Sequence, residues 1–145
     1  MSGSVCVIIP SVDNSTELGI AIDGLLDQTY SDISVVVVGP ESDSGKDVAE
    51  LKGVRFIDDR GSKTRADACN VALEQTESEF VFFTDDDVIV PKNWVSNLVR
   101  WFEREEVSGV GGPNFAPQKS RHYGNGLSMS LSVVLSSLRE QIMAK

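Results

Sequence analysis

A short apolar run leads directly into three consecutive acidic residues, and this feature most restricts what the chain can fold into. The run from Phe80 to Thr84 is followed at once by Asp85, Asp86 and Asp87. An aromatic and β-branched run without polar alternation is typical of a strand buried on both faces, as in a parallel sheet. The acidic side chains then come at the carboxyl end of that strand, where ligands bind in open α/β sheets. The order of strand and acids therefore predicts a ligand site at one edge of a parallel sheet.

Three further apolar runs precede this one, and each is followed by a helical pattern. The runs lie at residues 5–10, 33–38 and 54–57, and the helical patterns at 18–26, 47–52, 66–76 and 94–102. This alternation of strand and helix predicts an α/β fold with a mostly parallel open sheet and helices on both faces, in the Rossmann-like class. A fifth strand is expected over residues 107–112.

The last part of the chain carries two overlapping patterns. One helical face would contain Leu127, Leu131, Val134, Leu138 and Ile142, whereas Met129, Leu131, Val133 and Leu135 alternate as in a strand. The length of the segment favours the helix. We therefore expect a helical tail within residues 113–145, and its apolar face would pack on the core or on a second copy of the chain, forming a homodimer.

The charge balance restricts the classes of partner. The chain has 13 Lys and Arg against 22 Asp and Glu, a net charge of -9, which disfavours nucleic acid as a partner. An anionic substrate would need a local cation, either a metal ion or a few arginines.

Cys6 and Cys69 lie in apolar runs without metal-ligand spacing, so buried reduced thiols are expected. With no signal peptide and no membrane-spanning run, we expect a cytoplasmic protein, with the cytoplasmic membrane surface as an alternative.

The spacing of the acidic residues indicates what they could hold. In extended chain Asp85 and Asp87 would point to one face and Asp86 to the other. Two carboxylates on one side suit Mg²⁺ or Mn²⁺, since hard cations prefer oxygen ligands and Mg²⁺ is often shared between carboxylates and substrate phosphates. Lys63 and Arg65 are the cations expected nearest to this edge. The alternative is a solvated acidic turn that precedes the next helix.

Four segments of the sequence resemble successive landmarks of the family-2 glycosyltransferases, which have the GT-A fold. They are Val5–Pro10, Gly24–Tyr30, Lys63–Asn70 and Phe83–Asp87, and their order and spacing also match. The resemblance identifies residues 1–112 as the nucleotide-sugar-binding half. Residues 113–145 would extend from it into an acceptor half that this chain lacks.

The resemblance implies an inverting, metal-dependent transfer of a sugar from a nucleotide-diphosphate sugar to a glycan or lipid-phosphate acceptor. By resemblance, Ser11 and Asp13 line the nucleoside pocket, and Arg65 faces the base or the diphosphate. The full set implied to bind the nucleotide sugar is Pro10, Ser11, Asp13, Glu41, Arg65, Asp85 and Asp86. The metal, Mg²⁺ or Mn²⁺, would be held by Asp85 and Asp87.

The chain departs from the family pattern after the first and second strands. Where the family has an acidic pair that reads the base, this chain has Gly39 and Pro40, with Glu41 as the nearby acid. Val12 stands where an aromatic residue commonly stacks on the base. The nucleobase is therefore left open.

The general base is also left open, because the chain ends at Lys145 before any counterpart of the family's acidic base motif. We therefore expect a donor-binding portion of a longer polypeptide.

Three other functions compete with glycosyl transfer. One is a haloacid-dehalogenase-type phosphatase, in which Asp85 would be phosphorylated; the second is a nucleotidyltransferase; the third is a non-catalytic nucleotide-binding or assembly module.

Overall fold

The computed structural model describes residues 3–114 and 128–135. Over residues 5–114, strands and helices alternate, as the sequence predicts. The strands are β1 (Val5–Pro10), β2 (Ile33–Gly39), β3 (Arg55–Asp58), β4 (Phe80–Phe83), β5 (Gly109–Asn114) and β6 (Ser128–Leu135). The helices are α1 (Ser15–Leu26), α2 (Ser44–Lys52), α3 (Arg65–Glu74) and α4 (Trp94–Val99), which continues as a 3₁₀ turn over Arg100–Glu103.

The strands form one sheet in the order β3-β2-β1-β4-β6-β5. The first four are parallel, with Val5 opposite both Ile33 and Phe80. Strand β6 runs antiparallel to β4, and β5 runs antiparallel to β6. The predicted α/β fold with a mostly parallel sheet is confirmed, and the carboxyl ends of β1 to β4 lie along one edge.

Alternate side chains of the central strands enter two separate cores, one on each face of the sheet. On one face Val7 of β1 packs with Ile22 of α1 and Phe102 of the 3₁₀ turn, and this core also includes residues of α2 and α4. On the other face Ile8 packs with Ala72 of α3. Because both faces of each central strand are covered, the strands are apolar at successive positions. Helices therefore cover both faces, as predicted.

The predicted helical tail is wrong over Ser128–Leu135, which is strand β6. The backbone of residues 80–82 in β4 pairs with that of residues 133–135. Without β6, the side of β4 away from β1 would present unpaired amide and carbonyl groups, which are costly inside a protein. The pairing therefore overrides the length argument that favoured a helix. Leu127, Leu138 and Ile142 lie outside the described residues.

Smaller differences concern single residues and boundaries. Strand β5 begins and ends two residues later than predicted, at Gly109 and Asn114. Leu26 and Trp101 are exposed although the helical pattern placed them on apolar faces.

Cys6 and Cys69 are buried and form no disulfide, as expected. Among the helices of the described residues, none has the length and apolar character that crossing a membrane requires.

Candidate functional site

The loops that follow the parallel strands begin side by side at the carboxyl edge of the sheet. The Ser11 amide donates to the Val38 carbonyl at 3.0 Å, and the Thr84 amide donates to the Ile8 carbonyl at 3.2 Å. These bonds continue the ladders beyond the ends of β1 and β4. The first residues of both loops are thus positioned by the sheet itself, which makes this edge a rigid base for a site.

Strand β2 ends on a glycine because the β1 backbone passes close to it. A Cβ atom built on Gly39 would lie 2.3 Å from the Ser11 carbonyl oxygen, well inside contact distance. Any other residue would push the two strand ends apart. Glycine is therefore required by backbone packing at this position.

The loop after β1 is joined to the acidic triplet, Asp85 to Asp87, by a side-chain hydrogen bond. Ser11, which is only 4% exposed, donates from its Oγ to Oδ2 of Asp86 at 2.7 Å. A hydrogen bond to a carboxylate is stronger than one between neutral groups. This bond fixes the side chain of the middle acid toward β1.

The start of α3 is joined to the same triplet by an ion pair. Thr64 is the N-cap of α3, and its Oγ1 accepts from the Asp67 amide at 3.1 Å. This cap fixes the backbone from which Arg65, the first helical residue, extends. Nη2 of Arg65 lies 2.5 Å from Oδ1 of Asp85, and the two side chains are 54% and 41% exposed. The pair is therefore partly solvated.

Asp87, the third acid of the triplet, has an exposed side chain. Strand β4 ends at Phe83, and Asp86 and Asp87 lie in a turn closed by the Val88 amide, which donates to the Asp85 carbonyl at 3.4 Å. The extended chain that predicted a common face for Asp85 and Asp87 is therefore wrong, because the chain turns at this point. Within residues 3–114 and 128–135, the exposed Asp87 side chain makes no hydrogen bond or ion pair.

The donor set of the triplet fits a divalent cation that shares its coordination with a ligand. Over the described ranges, no three His, Cys, Asp or Glu side chains converge as a ready metal site. The carboxylates of Asp85 and Asp87 are hard oxygen donors with partial solvent access. Mg²⁺ in particular is often held by one or two carboxylates plus substrate phosphates, so a complete protein cage is not needed.

Asp13 and Glu41, two other predicted binding residues, belong to a neighbouring network. Asp13 has a left-handed backbone with φ of 53°, and its amide donates to Oδ1 of Asp43 at 3.2 Å. Asp43 also caps α2. Glu41 pairs with Lys46 at 2.9 Å, and the hydrogen bond and charge of Lys46 hold the pKa of the Glu41 carboxyl below its ordinary value.

This network was missed by sequence reasoning, although part of its signal was present. Asp43 stands just before the helical run and is a common N-cap residue type. The Glu41 amide donates to Oδ1 of Asp58 at 3.2 Å, a contact between two strand ends that can be recognised only once the fold is known.

The structure groups the predicted residues into two neighbouring sets. Ser11, Arg65, Asp85 and Asp86 contact one another in pairs, while Asp13 and Glu41 are held at the start of α2.

A buried aspartate shapes the loop that leads to Arg65. Asp59 is 4% exposed, and its Oδ1 accepts from the Gly61 amide at 2.9 Å. Its carbonyl accepts from the Ser62 amide at 3.1 Å, and Arg60 and Gly61 both have positive φ. The carboxylate thus stabilises a tight turn. Sequence reasoning did not single out Asp59, because an acid at a strand end is commonly exposed.

The landmark at residues 24–30 braces the segment that follows the acidic triplet. Nε2 of Gln28 donates to the Gly24 carbonyl at 3.1 Å and to the Pro91 carbonyl at 2.8 Å. Its Oε1 accepts from the Val95 amide at 3.0 Å. The Thr29 amide also donates to the Lys92 carbonyl at 2.9 Å. The end of α1 therefore holds the segment between the triplet and α4.

Cys69 lies one turn into α3 from the Arg65–Asp85 ion pair, and the charges of both residues affect the pKa of its thiol. Burial raises the pKa of the Cys69 thiol, the positive charge of Arg65 lowers it, and the negative charge of Asp85 raises it. Burial is the largest of these effects. Cys69 is thus a core thiol beneath the Arg65–Asp85 pair.

A family model and several known proteins match this chain. The model of glycosyl transferase family 2 matches residues 6–141. The glycosyltransferase GlyG of Streptococcus pneumoniae is 25% identical over 118 residues, covering 77% of this chain and 39% of that protein.

Solved structures with the same fold include two glycosyltransferase complexes. The mannosyltransferase PcManGT from Pyrobaculum calidifontis, in complex with GDP-Man and Mn²⁺, has a TM-score of 0.79 at 19% identity, covering 98% of this chain and 47% of that one. The glucosyl-3-phosphoglycerate synthase of Mycobacterium tuberculosis, with Mn²⁺, UDP-Glc and phosphoglyceric acid, has a TM-score of 0.63 at 18% identity, covering 74% of this chain and 42% of that one. This chain spans less than half the length of each of these relatives.

Proposed function

The chain belongs to glycosyl transferase family 2, and on that premise we propose that it binds a nucleotide-diphosphate sugar as the donor for an inverting glycosyl transfer. One observation carries the proposal, the convergence of two loops on the acidic triplet at the carboxyl edge of the sheet. Ser11 bonds to Asp86, and Arg65 pairs with Asp85. Ligands of open α/β sheets bind at this edge.

The donor class is supported by what the structural relatives hold. The mannosyltransferase was solved with GDP-Man and the synthase with UDP-Glc. In the proposed site, Pro10 and Ser11 face the nucleoside together with Asp13, and Arg65 binds the diphosphate. Glu41 faces the base from the loop before α2, where it pairs with Lys46. The nucleobase is left to experiment.

The proposal includes a divalent cation, Mg²⁺ or Mn²⁺, held by Asp85 and Asp87. Their oxygen donors fit such an ion, and both structural relatives were solved with Mn²⁺. When bound, the cation neutralises the diphosphate and the charge that develops on it as the sugar departs. Asp86 keeps its bond to Ser11 and orients the turn that carries the other two acids.

The acceptor part of the proposal rests on resemblance alone. The synthase was solved with phosphoglyceric acid as well as the donor. For this chain we propose a glycan or lipid-phosphate acceptor, bound beyond the nucleotide-sugar-binding half at residues 1–112. We assign the general base to no residue of the chain.

The products formed from the donor test the proposal against its competitors. The full chain is incubated with Mn²⁺ and UDP-, GDP- or dTDP-sugars, with and without a panel of polyol, glycan and lipid-phosphate acceptors, and the products are separated by chromatography. The proposal predicts release of the nucleoside diphosphate, by transfer or by slow hydrolysis, and its loss in Asp87→Asn. Pyrophosphate release would indicate a nucleotidyltransferase, and phosphate release from a generic phosphoester would indicate a phosphatase; either would contradict the proposal. Metal-dependent binding without any product would restrict it to donor binding.

A further inference from the structure

We infer that Arg65 serves as the resident counter-cation of Asp85 in the nucleotide-free protein, so that metal and nucleotide enter the site together. This inference rests on the proposed function. It adds that Asp85 exchanges the Arg65 guanidinium for the metal ion only when a diphosphate arrives to accept the guanidinium. The ligand that the site takes is therefore the metal–nucleotide complex, and the metal ion alone binds weakly.

The bonds of the triplet leave few ligands for a free metal ion. Asp86 accepts from Ser11 at 2.7 Å, and Asp85 pairs with Arg65 at 2.5 Å. Within the described part of the chain this leaves Asp87 as the acid of the triplet without a side-chain partner. Mg²⁺ takes about six oxygen ligands and gives up its water reluctantly. One open carboxylate beside two that are each engaged through one oxygen is a poor site for such an ion.

The Arg65–Asp85 pair is placed so that it can be exchanged. Both side chains are about half exposed. Ion pairs of this kind contribute little, so a ligand can replace them at small cost. The backbone of Arg65 stays fixed, because Thr64 caps α3 with a bond to the Asp67 amide at 3.1 Å. The exchange therefore requires a rotation of the Arg65 side chain and no movement of the helix.

The charges explain why the exchange needs the diphosphate. The chain has a net charge of -9, and three acids at the site repel an incoming diphosphate. A guanidinium binds phosphate oxygens through two parallel hydrogen bonds, as it binds a carboxylate. One cation can thus neutralise Asp85 before binding and the diphosphate afterwards. Asp85 would then be free to hold the metal ion.

Two binding measurements on the full chain test the exchange, because it predicts opposite effects of one substitution. Binding of Mn²⁺ alone is followed by the electron paramagnetic resonance signal of the free ion, and binding of UDP, GDP and dTDP is followed by calorimetry in saturating Mn²⁺. Arg65→Gln should bind Mn²⁺ alone about two- to fivefold more tightly, since Asp85 is released from a partly solvated pair. The same variant should bind the diphosphate that the wild type prefers about tenfold or more weakly, since a charge-assisted contact is lost.

A charge-matched control separates the ion pair from a general effect of charge. Lys63→Gln removes one positive charge from the same exposed loop, and Lys63 stands two positions before Arg65. It should change Mn²⁺ affinity less than Arg65→Gln does. Arg65→Lys, which keeps the charge and loses the planar fork, should fall between wild type and Arg65→Gln in both measurements. Circular dichroism confirms that the variants are folded.

The outcomes distinguish the exchange from the proposed function. If Arg65→Gln leaves Mn²⁺ affinity unchanged or lowers it while the wild type binds a diphosphate with Mn²⁺, the exchange is wrong and donor binding stands. If Lys63→Gln matches Arg65→Gln in both measurements, the effect is one of net charge, and the exchange is again wrong. If the wild type binds none of UDP, GDP and dTDP in Mn²⁺, the proposed function fails, and the exchange fails with it.

Discussion

Ser11 and Asp86 are 75 positions apart in the sequence, and the Ser11 hydroxyl donates to the Asp86 carboxylate at 2.7 Å. The bond joins the loop after the first strand to the acidic turn after the fourth. Both residues follow neighbouring parallel strands, so the sheet brings them together. The bond makes the acidic turn part of the rigid edge of the sheet.

A double-mutant cycle should measure this connection. Ser11→Ala and Asp86→Ala should each lower the free energy of unfolding, and the double variant should lose less than their sum. We expect a coupling of about 1–2 kcal/mol, because a partly buried hydrogen bond to a charged group is lost once and not twice. Urea denaturation gives the values. As a control, Ser11→Ala combined with Asp32→Ala, at the opposite edge of the sheet, should be additive; coupling in that pair, or none between Ser11 and Asp86, would contradict the bond.

The three acids should differ in their effect on ligand binding. Asp87→Asn should weaken metal-dependent binding of a nucleoside diphosphate by about tenfold or more, because the proposed metal loses a charged oxygen ligand. Asp86→Asn should weaken it far less, since Asp86 is occupied by Ser11. Asp32→Asn removes the same charge at the distant edge and should have almost no effect. Calorimetry on the three variants gives the ranking, and a larger loss in Asp86→Asn than in Asp87→Asn would reverse the assignment of the metal ligand.

Gly39 should tolerate no side chain. Gly39→Ala places a Cβ 2.3 Å from the Ser11 carbonyl oxygen, so the ends of β1 and β2 must separate. We expect a loss of about 1–3 kcal/mol in the free energy of unfolding, together with weaker nucleotide binding. Gly19→Ala, inside α1, meets its nearest atom at an ordinary 3.7 Å and should stabilise the protein by about 0.5–1 kcal/mol. A neutral Gly39→Ala would mean that the strand ends are not in close contact.

Much of the fold was predictable because the pattern of buried strands depends on local sequence. Runs such as Val5–Pro10 and Ile33–Gly39 have both faces covered by helices, so their residues are apolar at successive positions. The position of the acidic triplet at a carboxyl edge followed from the same pattern. Parallel strands place these ends together whatever the loops contain.

The errors arose where distant parts of the chain decide the outcome. Residues 128–135 carry both a helical and an alternating pattern. They form a strand because their backbone pairs with the side of β4 that faces away from β1. The contacts of Ser11 with Asp86 and of Arg65 with Asp85 join loops that no local pattern connects. The turn at Asp86 and Asp87 replaced the extended chain that the sequence argument assumed.

Gln28 should be important for stability although it lies outside the site. Gln28→Ala removes hydrogen bonds to the Gly24 and Pro91 carbonyls and from the Val95 amide. We expect a loss of about 2 kcal/mol in the free energy of unfolding, given about 0.5–1.5 kcal/mol for each bond. Gln75→Ala is a matched control, since the Gln75 side chain bonds only to the Val71 carbonyl within the described residues. Equal losses in the two variants, measured in urea, would show that Gln28 does not brace the segment.

Calorimetric titration of the full chain with UDP-, GDP- and dTDP-sugars, in Mn²⁺ and again in excess chelator, tests the central claim most directly. The account predicts that at least one of these donors binds in Mn²⁺, and that its affinity falls by about tenfold or more in chelator, because the acids of a protein with net charge -9 then repel the diphosphate. Asp87→Asn in Mn²⁺ should reproduce much of that loss. Equal affinity with and without the metal, or binding of none of these donors, would contradict the account.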